Sequence, residues 1–483
     1  MVNECFNGLR EGLDAGDLSS EVLTRQSLEI MAQRDADLGA LATRLEETSL
    51  ACARKADRRL RQGERTPVLG LPFLLKDNLA LAGASLGHGS RIGPIKPPFT
   101  ATVVLRLMEA GAVPVAQTRM DEFAMGSSCE HCASGPTRNP WSPDRVPGGS
   151  SSGSAAGLAA GYAAFALGSD TGGSARLPAA FCGLSALRPT YGTLSRKGLS
   201  AMASSLDQIG LMARSARDLA SILSVVAGSD SGDATSTCLP RQDRLRNLHV
   251  MDLKGLRVGL LREALGDGLA PEVRRLMETA VALLASEGAV PVEVSLPHSR
   301  FAVDTYFLLN TSEVSSNLAR FDGVRFGTRV PAADLQDTLA RTRDEGFGPE
   351  VKRRILLGAF CLSKGFYEAF HLKALQARTL VAQDFQHAFQ QVDLILMPAS
   401  PAPAFPLGSR LEDPRAMHLT DLHTVPQALA GLPALVLPAG LAKGLPVGLQ
   451  FVGPAFSEVA LLEAGHAFQR LTSHHRCAPP LPA

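Results

Sequence analysis

The sequence predicts an α/β protein, and three observations carry that reading. Apolar runs of strand length at 71–75, 112–116, 255–261 and 392–397 are separated by segments with helical spacing. A helical pattern over 101–110, closed by Gly111, leads directly into the run at 112–116, which is helix–strand alternation. The stretch 148–184 is rich in Gly, Ser and Ala, so a helix there can approach its neighbours closely and a strand can return beside it.

Taken in order, residues 1–65 are rich in Leu, Ala, Arg and Glu with helical spacing and predict an N-terminal helical segment of two or three helices. The run 54–61, with four Arg and one Lys, reads as a solvated helix face. Leu71-Pro72-Phe73-Leu74-Leu75 reads as a buried strand ending on Lys76-Asp77-Asn78, and polar residues at strand ends are where α/β sites gather. The segment 229–250 is polar and without period, hence a linking loop, whereas about 300–390 is mainly helical in pattern.

Composition excludes several classes. A chain of 483 residues with 45% hydrophobic and 20% charged side chains has ample material for a core and is not disordered. With 48 basic and 47 acidic residues the net charge is +1, which gives no global electrostatic reason for nucleic-acid or membrane-surface binding. The first twenty residues are polar and acidic, not a leader, and no stretch approaches membrane-spanning length, so a cytoplasmic location is expected. Eight scattered cysteines, Cys5 among them, read as free thiols in a reducing compartment.

The chemistry concentrates in three places. A helix of about 12 residues travels about 18 Å and a five- or six-residue strand returns about as far, so the loop holding Ser150 and the loop holding Ser174 converge. Thr171-Gly172-Gly173-Ser174 has the composition of a turn whose N–H groups point into one space, as an oxyanion hole requires. A serine nucleophile also needs a base. The histidines offer no obvious partner, whereas Lys76 ends an apolar run where desolvation would lower its pKa toward the neutral amine.

Two competing motifs are weaker. Gly149-Ser150-Ser151-Ser152-Gly153 fits the G-x-S-x-G nucleophile elbow, but an elbow follows a strand and Pro147-Gly148 precedes this one. Cys129-Glu130-His131-Cys132 lacks a second ligand pair, so no metal is predicted, and no phosphate-binding G-x-x-x-x-G-K-[ST] motif is present.

Gly70-Leu71-Pro72 leading to Lys76-Asp77-Asn78, then Gly148-Gly149-Ser150-Ser151, then Asp170-Thr171-Gly172-Gly173-Ser174 ahead of Arg176 and Pro178, resemble the amidase signature family in order and spacing, from about residue 65 to the end. The resemblance implies a single large α/β domain over 66–483, a mixed sheet flanked by helices, with the helical insertion near 300–390 shaping the substrate pocket. It implies Lys76 as base, Ser150 as relay and Ser174 as nucleophile, with Ser151 and Asp170 as supporting hydrogen-bond partners.

Further motifs are similar to the branch of that family that supplies ammonia to tRNA-dependent amidotransferases. They are Met120-Asp121-Glu122-Phe123-Ala124-Met125-Gly126-Ser127-Ser128, Gly135-Pro136-Thr137-Arg138-Asn139-Pro140-Trp141, Ser205-Leu206-Asp207-Gln208, the segments 315–323 and 350–355, and Thr420-Asp421-Leu422. That likeness implies glutamine as substrate, with Tyr306, Arg354 and Asp421 on its end groups and Thr171, Gly172 and Gly173 at the reacting carbonyl. It further implies two partners, the B and C subunits of the amidotransferase, with misacylated tRNA reached through a partner, and ATP and Mg²⁺ at that partner with no cofactor in this chain. The alternative is a free-standing amidase acting on small or aryl amides. Ser152, the Cys129–Cys132 stretch and Leu86-Gly87-His88-Gly89 depart from the usual family residues.

Overall fold

The computed structural model describes residues 6–266 and 268–480. Among them, strands β1 (Leu41–Arg44), β2 (Pro72–Lys76), β3 (Val113–Thr118), β4 (Phe165–Ser169), β5 (Ser185–Arg188), β6 (Ile209–Ala213), β7 (Arg257–Leu261), β8 (Val290–Val294), β9 (Leu394–Pro398), β10 (Ala434–Ala442) and β11 (Leu445–Val452) form one mixed sheet. Their order is β1-β3-β2-β4-β6-β5-β10-β11-β9-β7-β8. β2 runs parallel to both β3 and β4, and β7 parallel to β8 and β9, while the middle of the sheet is antiparallel.

β2 through β6 are buried along their whole length. Helices therefore cover both faces there, and the strands read as continuous apolar runs with no alternation. Burying such runs at roughly 25 cal/mol per Å² of apolar surface is the main stabilisation of the sheet.

The N-terminal segment forms the three helices Phe6–Ala15, Ser20–Leu38 and Glu46–Arg61. It also contains β1, which corrects the purely helical reading: Leu41–Arg44 pairs antiparallel with β3 at the sheet edge. Four residues with one buried position are too short to show a period. The segment shares the main core, with the Phe6 ring 5.9 Å from that of Phe165 on β4.

The helix after Ser150 spans Ser152–Ala159, shorter than the dozen residues expected, and the chain turns at Gly161 with φ 83°. It lies so close to the sheet that a Cβ at Gly153 would strike the Ala40 carbonyl and sit 2.7 Å from the Arg119 nitrogen. Small residues let the helix reach the backbone just before β1 and just after β3.

The region 300–390 carries the helices Ala302–Asn317, Leu335–Gly346, Pro349–Leu362 and Lys373–Ala388. No helix among the described residues is long and apolar enough to cross a membrane. The described cysteines are free thiols; Cys5 lies outside the described residues.

Candidate active site

Lys76 is the last residue of β2, held between the parallel neighbours β3 and β4, and it is fully buried. Its Nζ lies 2.7 Å from Ser150 Oγ and 2.9 Å from Ser169 Oγ, and Asn78 Nδ2 donates to the same Ser169 oxygen at 3.0 Å. Burial lowers the Lys76 pKa to about 7, against the opposing pull of the Asp121 and Asp170 carboxylates. Near neutral pH a large fraction of the amine therefore has a free lone pair.

The loop bearing Ser150 is tied down on every side. The Ser150 carbonyl accepts the Asp121 N–H at 3.3 Å, and the Ser151 N–H donates to the Ser174 carbonyl at 3.0 Å, which joins the two serine loops directly. The Ser151 hydroxyl donates to the Ser169 carbonyl at 3.1 Å and accepts its N–H at 3.2 Å, so it is engaged with backbone and not aimed at a substrate. The unusual Ser152 fits without disturbance: its hydroxyl donates to the Gly148 carbonyl at 2.6 Å.

Ser174 ends the second loop just before the helix Arg176–Cys182. Its hydroxyl makes no hydrogen bond among the described residues and faces a cleft. Nor do the N–H groups of residues 171–174 donate to any described acceptor, so four consecutive donors remain unspent. The turn is held from behind. Asp170 accepts from Arg176 Nε at 3.0 Å and Nη2 at 2.9 Å, with Arg188 3.2 Å away. Burial opposes its charge, but the two guanidiniums hold its carboxyl well below the usual carboxylate range. Thr171 Oγ1 donates to Asp207 Oδ1 at 2.7 Å, which ties that side chain down. Gly173, with φ 142°, has no room for a Cβ against Thr424, and one at Gly172 would lie 2.7 Å from the Tyr306 ring.

The same cleft is lined by Tyr306, Arg354 and Asp421, together with Ser127, Phe307 and His418. Arg354 is fixed by Glu350 Oε1 at 2.6 Å and Asn310 Oδ1 at 3.1 Å, with its guanidinium 4.9 Å over the Phe307 ring. Asp421 Oδ2 accepts the Ser127 hydroxyl at 2.6 Å, while its Oδ1 is buried without a partner. Burial pushes this carboxyl up to about 7, partly offset by the Ser127 hydrogen bond. A buried carboxylate oxygen with no donor of its own is suited to a cationic ligand group. The His418 and Phe307 ring centroids lie 3.8 Å apart with their planes tilted by 38°, and burial followed by Arg354 and Arg353 lowers the His418 pKa to about 3, so it stands neutral beside the cleft.

Each sequence-predicted site residue thus falls into one connected region. Ser169, Ser127, Glu350, Asn310 and Asp121 complete it and were not read from the sequence. Ser127, Asp121 and Glu350 lie inside motifs that carry the family resemblance, Glu350 one helical turn before Arg354, whereas Ser169 and Asn310 carry no local signal. Among the described residues no group of three or more His, Cys, Asp or Glu side chains is placed to hold a metal ion.

An eleven-stranded mixed sheet carrying a buried lysine against paired serine loops defines a class, and sequence comparison agrees: the chain belongs to the amidase family, whose pattern, "Amidase", matches residues 22–462. It is 49% identical to a glutamyl-tRNA(Gln) amidotransferase subunit of Moorella thermoacetica, over 98% of this chain and 97% of that one, and 49% identical to the same subunit of Roseiflexus sp. (strain RS-1), again over 98% and 97%. The crystal structure of the corresponding protein from Thermotoga maritima superposes with a TM-score of 0.81 at 36% identity, over 96% of this chain and 95% of that one. The peptide amidase of Stenotrophomonas maltophilia gives 0.83 at 31% identity, over 99% and 98%.

Proposed function

We propose that this chain is the glutamine-hydrolysing subunit of a cytoplasmic tRNA-dependent amidotransferase. The observation that carries the reading is the cleft itself: a free serine hydroxyl shares it with an anchored guanidinium and a carboxylate oxygen that lacks a partner. Glutamine offers the complement, a neutral carboxamide at one end and an α-carboxylate and α-ammonium at the other. Arg354 receives the carboxylate, Asp421 the ammonium, and the Tyr306 hydroxyl a polar edge between them.

In the chemical step, Ser174 Oγ attacks the carboxamide carbon while its proton passes to Ser150 Oγ and the Ser150 proton to the neutral Lys76 amine. The unspent N–H groups of 171–174 stabilise the oxyanion, with Thr171, Gly172 and Gly173 supplying donors and close approach. Return of the proton to the leaving nitrogen releases ammonia and leaves a glutamyl ester on Ser174. Water, giving its proton to the same relay, attacks the ester carbonyl, and the proton then returns to the departing Ser174 oxygen.

The ammonia is consumed by a partner protein, which holds ATP and Mg²⁺ and amidates Glu-tRNA(Gln), Asp-tRNA(Asn) or both, with a small third protein completing the assembly. A surface suited to such contacts is present. Leu356 is 71% exposed, and Leu357, Phe360, Phe366, Leu372 and Leu375 lie exposed beside it, with the Phe360 and Phe366 rings 4.2 Å apart. The test is ammonia release from glutamine by the purified protein and its co-purifying partners. Activity that disappears in Ser174→Ala supports the reading, and substantial activity in that variant overturns it.

A further inference from the structure

The turn Cys129-Glu130-His131-Cys132 has no place in the mechanism, yet it packs directly behind the catalytic loop. Glu130 and His131 are turn residues, so the cysteines occupy its first and last positions. That brings their Cα atoms within about 7 Å, inside the range a disulfide spans. Cys129 Sγ lies 3.4 Å from Thr137 Oγ1 and Cys132 Sγ 3.2 Å from Ser134 Oγ.

The turn is anchored to Asp121, whose Oδ2 accepts the Cys129 N–H at 2.9 Å and whose Oδ1 accepts the His131 N–H at 3.3 Å. Asp121 in turn donates its own N–H to the Ser150 carbonyl. A Cβ at Gly149 would sit 2.5 Å from the Ser128 nitrogen and collide with Asp121, so nothing separates this turn from the relay loop. Movement of the turn therefore reaches Ser150.

We propose that Cys129 and Cys132 are a redox modification site: hydrogen peroxide oxidises them to an intramolecular disulfide that displaces the Ser150 loop and reversibly switches the amidase off. The Cys132 sulfur, 7% exposed as a residue, attacks one peroxide oxygen, breaking the O–O bond and forming a sulfenic acid with loss of water. The Cys129 sulfur then attacks that sulfur, displacing the oxygen as a second water. Two thiol protons and two electrons pass to the peroxide.

The polarity favours this order. The Cys129 thiol donates to Cys132 and lowers its pKa, while burial raises that of Cys129, which leaves Cys132 the nucleophile and Cys129 the resolving thiol. Closing the bond draws the sulfurs to about 2.05 Å and off their hydroxyl partners. A displacement of about 1 Å in a positioned relay costs about a hundredfold in rate.

The experiment treats the full-length protein, with any partner proteins, with hydrogen peroxide. It follows ammonia release from an uncharged amide and the mass of the tryptic peptide 120–138, which contains Cys129 and Cys132 and no other cysteine. Expected are a loss of about 2 Da in that peptide, a parallel fall in activity of about tenfold or more, and recovery of both with dithiothreitol. Cys132→Ser, or Cys132→Ala if the serine variant does not fold, is expected to stay active and resist peroxide. A peptide that keeps its mass, a disulfide that forms without loss of activity, or a variant inactivated like wild type each overturns the proposal. The uncharged substrate keeps this outcome separate from the glutamine reading.

Discussion

Lys76 Nζ and Ser150 Oγ lie 2.7 Å apart, and both side chains are shut off from water. In that setting the lysine can act on the serine only while it is neutral, because an ammonium has no lone pair to receive the proton. With the pKa lowered to about 7 by burial, the protonated form prevails below that pH and the neutral form above it. For an uncharged amide, kcat/KM is expected to rise about tenfold per pH unit on the acid side and level off above about 7. A flat profile from acid to alkaline pH in the chemical step contradicts Lys76 as base. Glutamine is expected to show a rise in the same direction, reinforced by Asp421, which burial holds near 7 and which binds an ammonium only when ionised.

The same contact predicts strong non-additivity. Lys76→Ala and Ser150→Ala are each expected to cost orders of magnitude, and the double variant little more than either single one, since a relay fails once any link is removed. Single-turnover rates for all four proteins measure this. Independent, multiplicative losses would mean that the two residues do not act as one unit.

Ser169 anchors the Lys76 amine beside Ser150. Its hydroxyl oxygen accepts from Lys76 Nζ at 2.9 Å and from Asn78 Nδ2 at 3.0 Å, while Lys76 Nζ lies 2.7 Å from Ser150 Oγ. Ser169→Ala is expected to lower kcat by about ten- to a hundredfold with KM little changed, and Ser169→Thr to recover much of the loss. An effect confined to KM would count against this positioning role.

The site was legible where a single stretch of chain carries both geometry and chemistry. The apolar run ending on Lys76 and the glycine-rich turn ending on Ser174 announce themselves through composition, because a buried strand and a nest of N–H groups each demand particular residues in succession. Contacts across the fold were not legible. Ser127 meets Asp421 across 294 positions, and Asn310 reaches Arg354 from another helix, neither with any local pattern to mark it. The fold behaved alike: β7 and β9 follow from their apolar runs, whereas β10 is interrupted by Pro438 and a bulge at Gly440. Those residues hide a buried strand from any periodic reading.

The most direct test of the account compares kcat/KM for glutamine and for a short uncharged amide in wild type, Arg354→Ala and Asp421→Ala. If Arg354 and Asp421 grip the two charged end groups, each removal forfeits a charge-assisted contact of about 1.5–3 kcal/mol and weakens glutamine use by roughly ten- to a hundredfold. The uncharged amide makes neither contact, so its low rate is expected to stay within about threefold of wild type in both variants. A wild type that prefers the uncharged amide, or variants that lose activity equally on both substrates, would contradict the glutamine pocket.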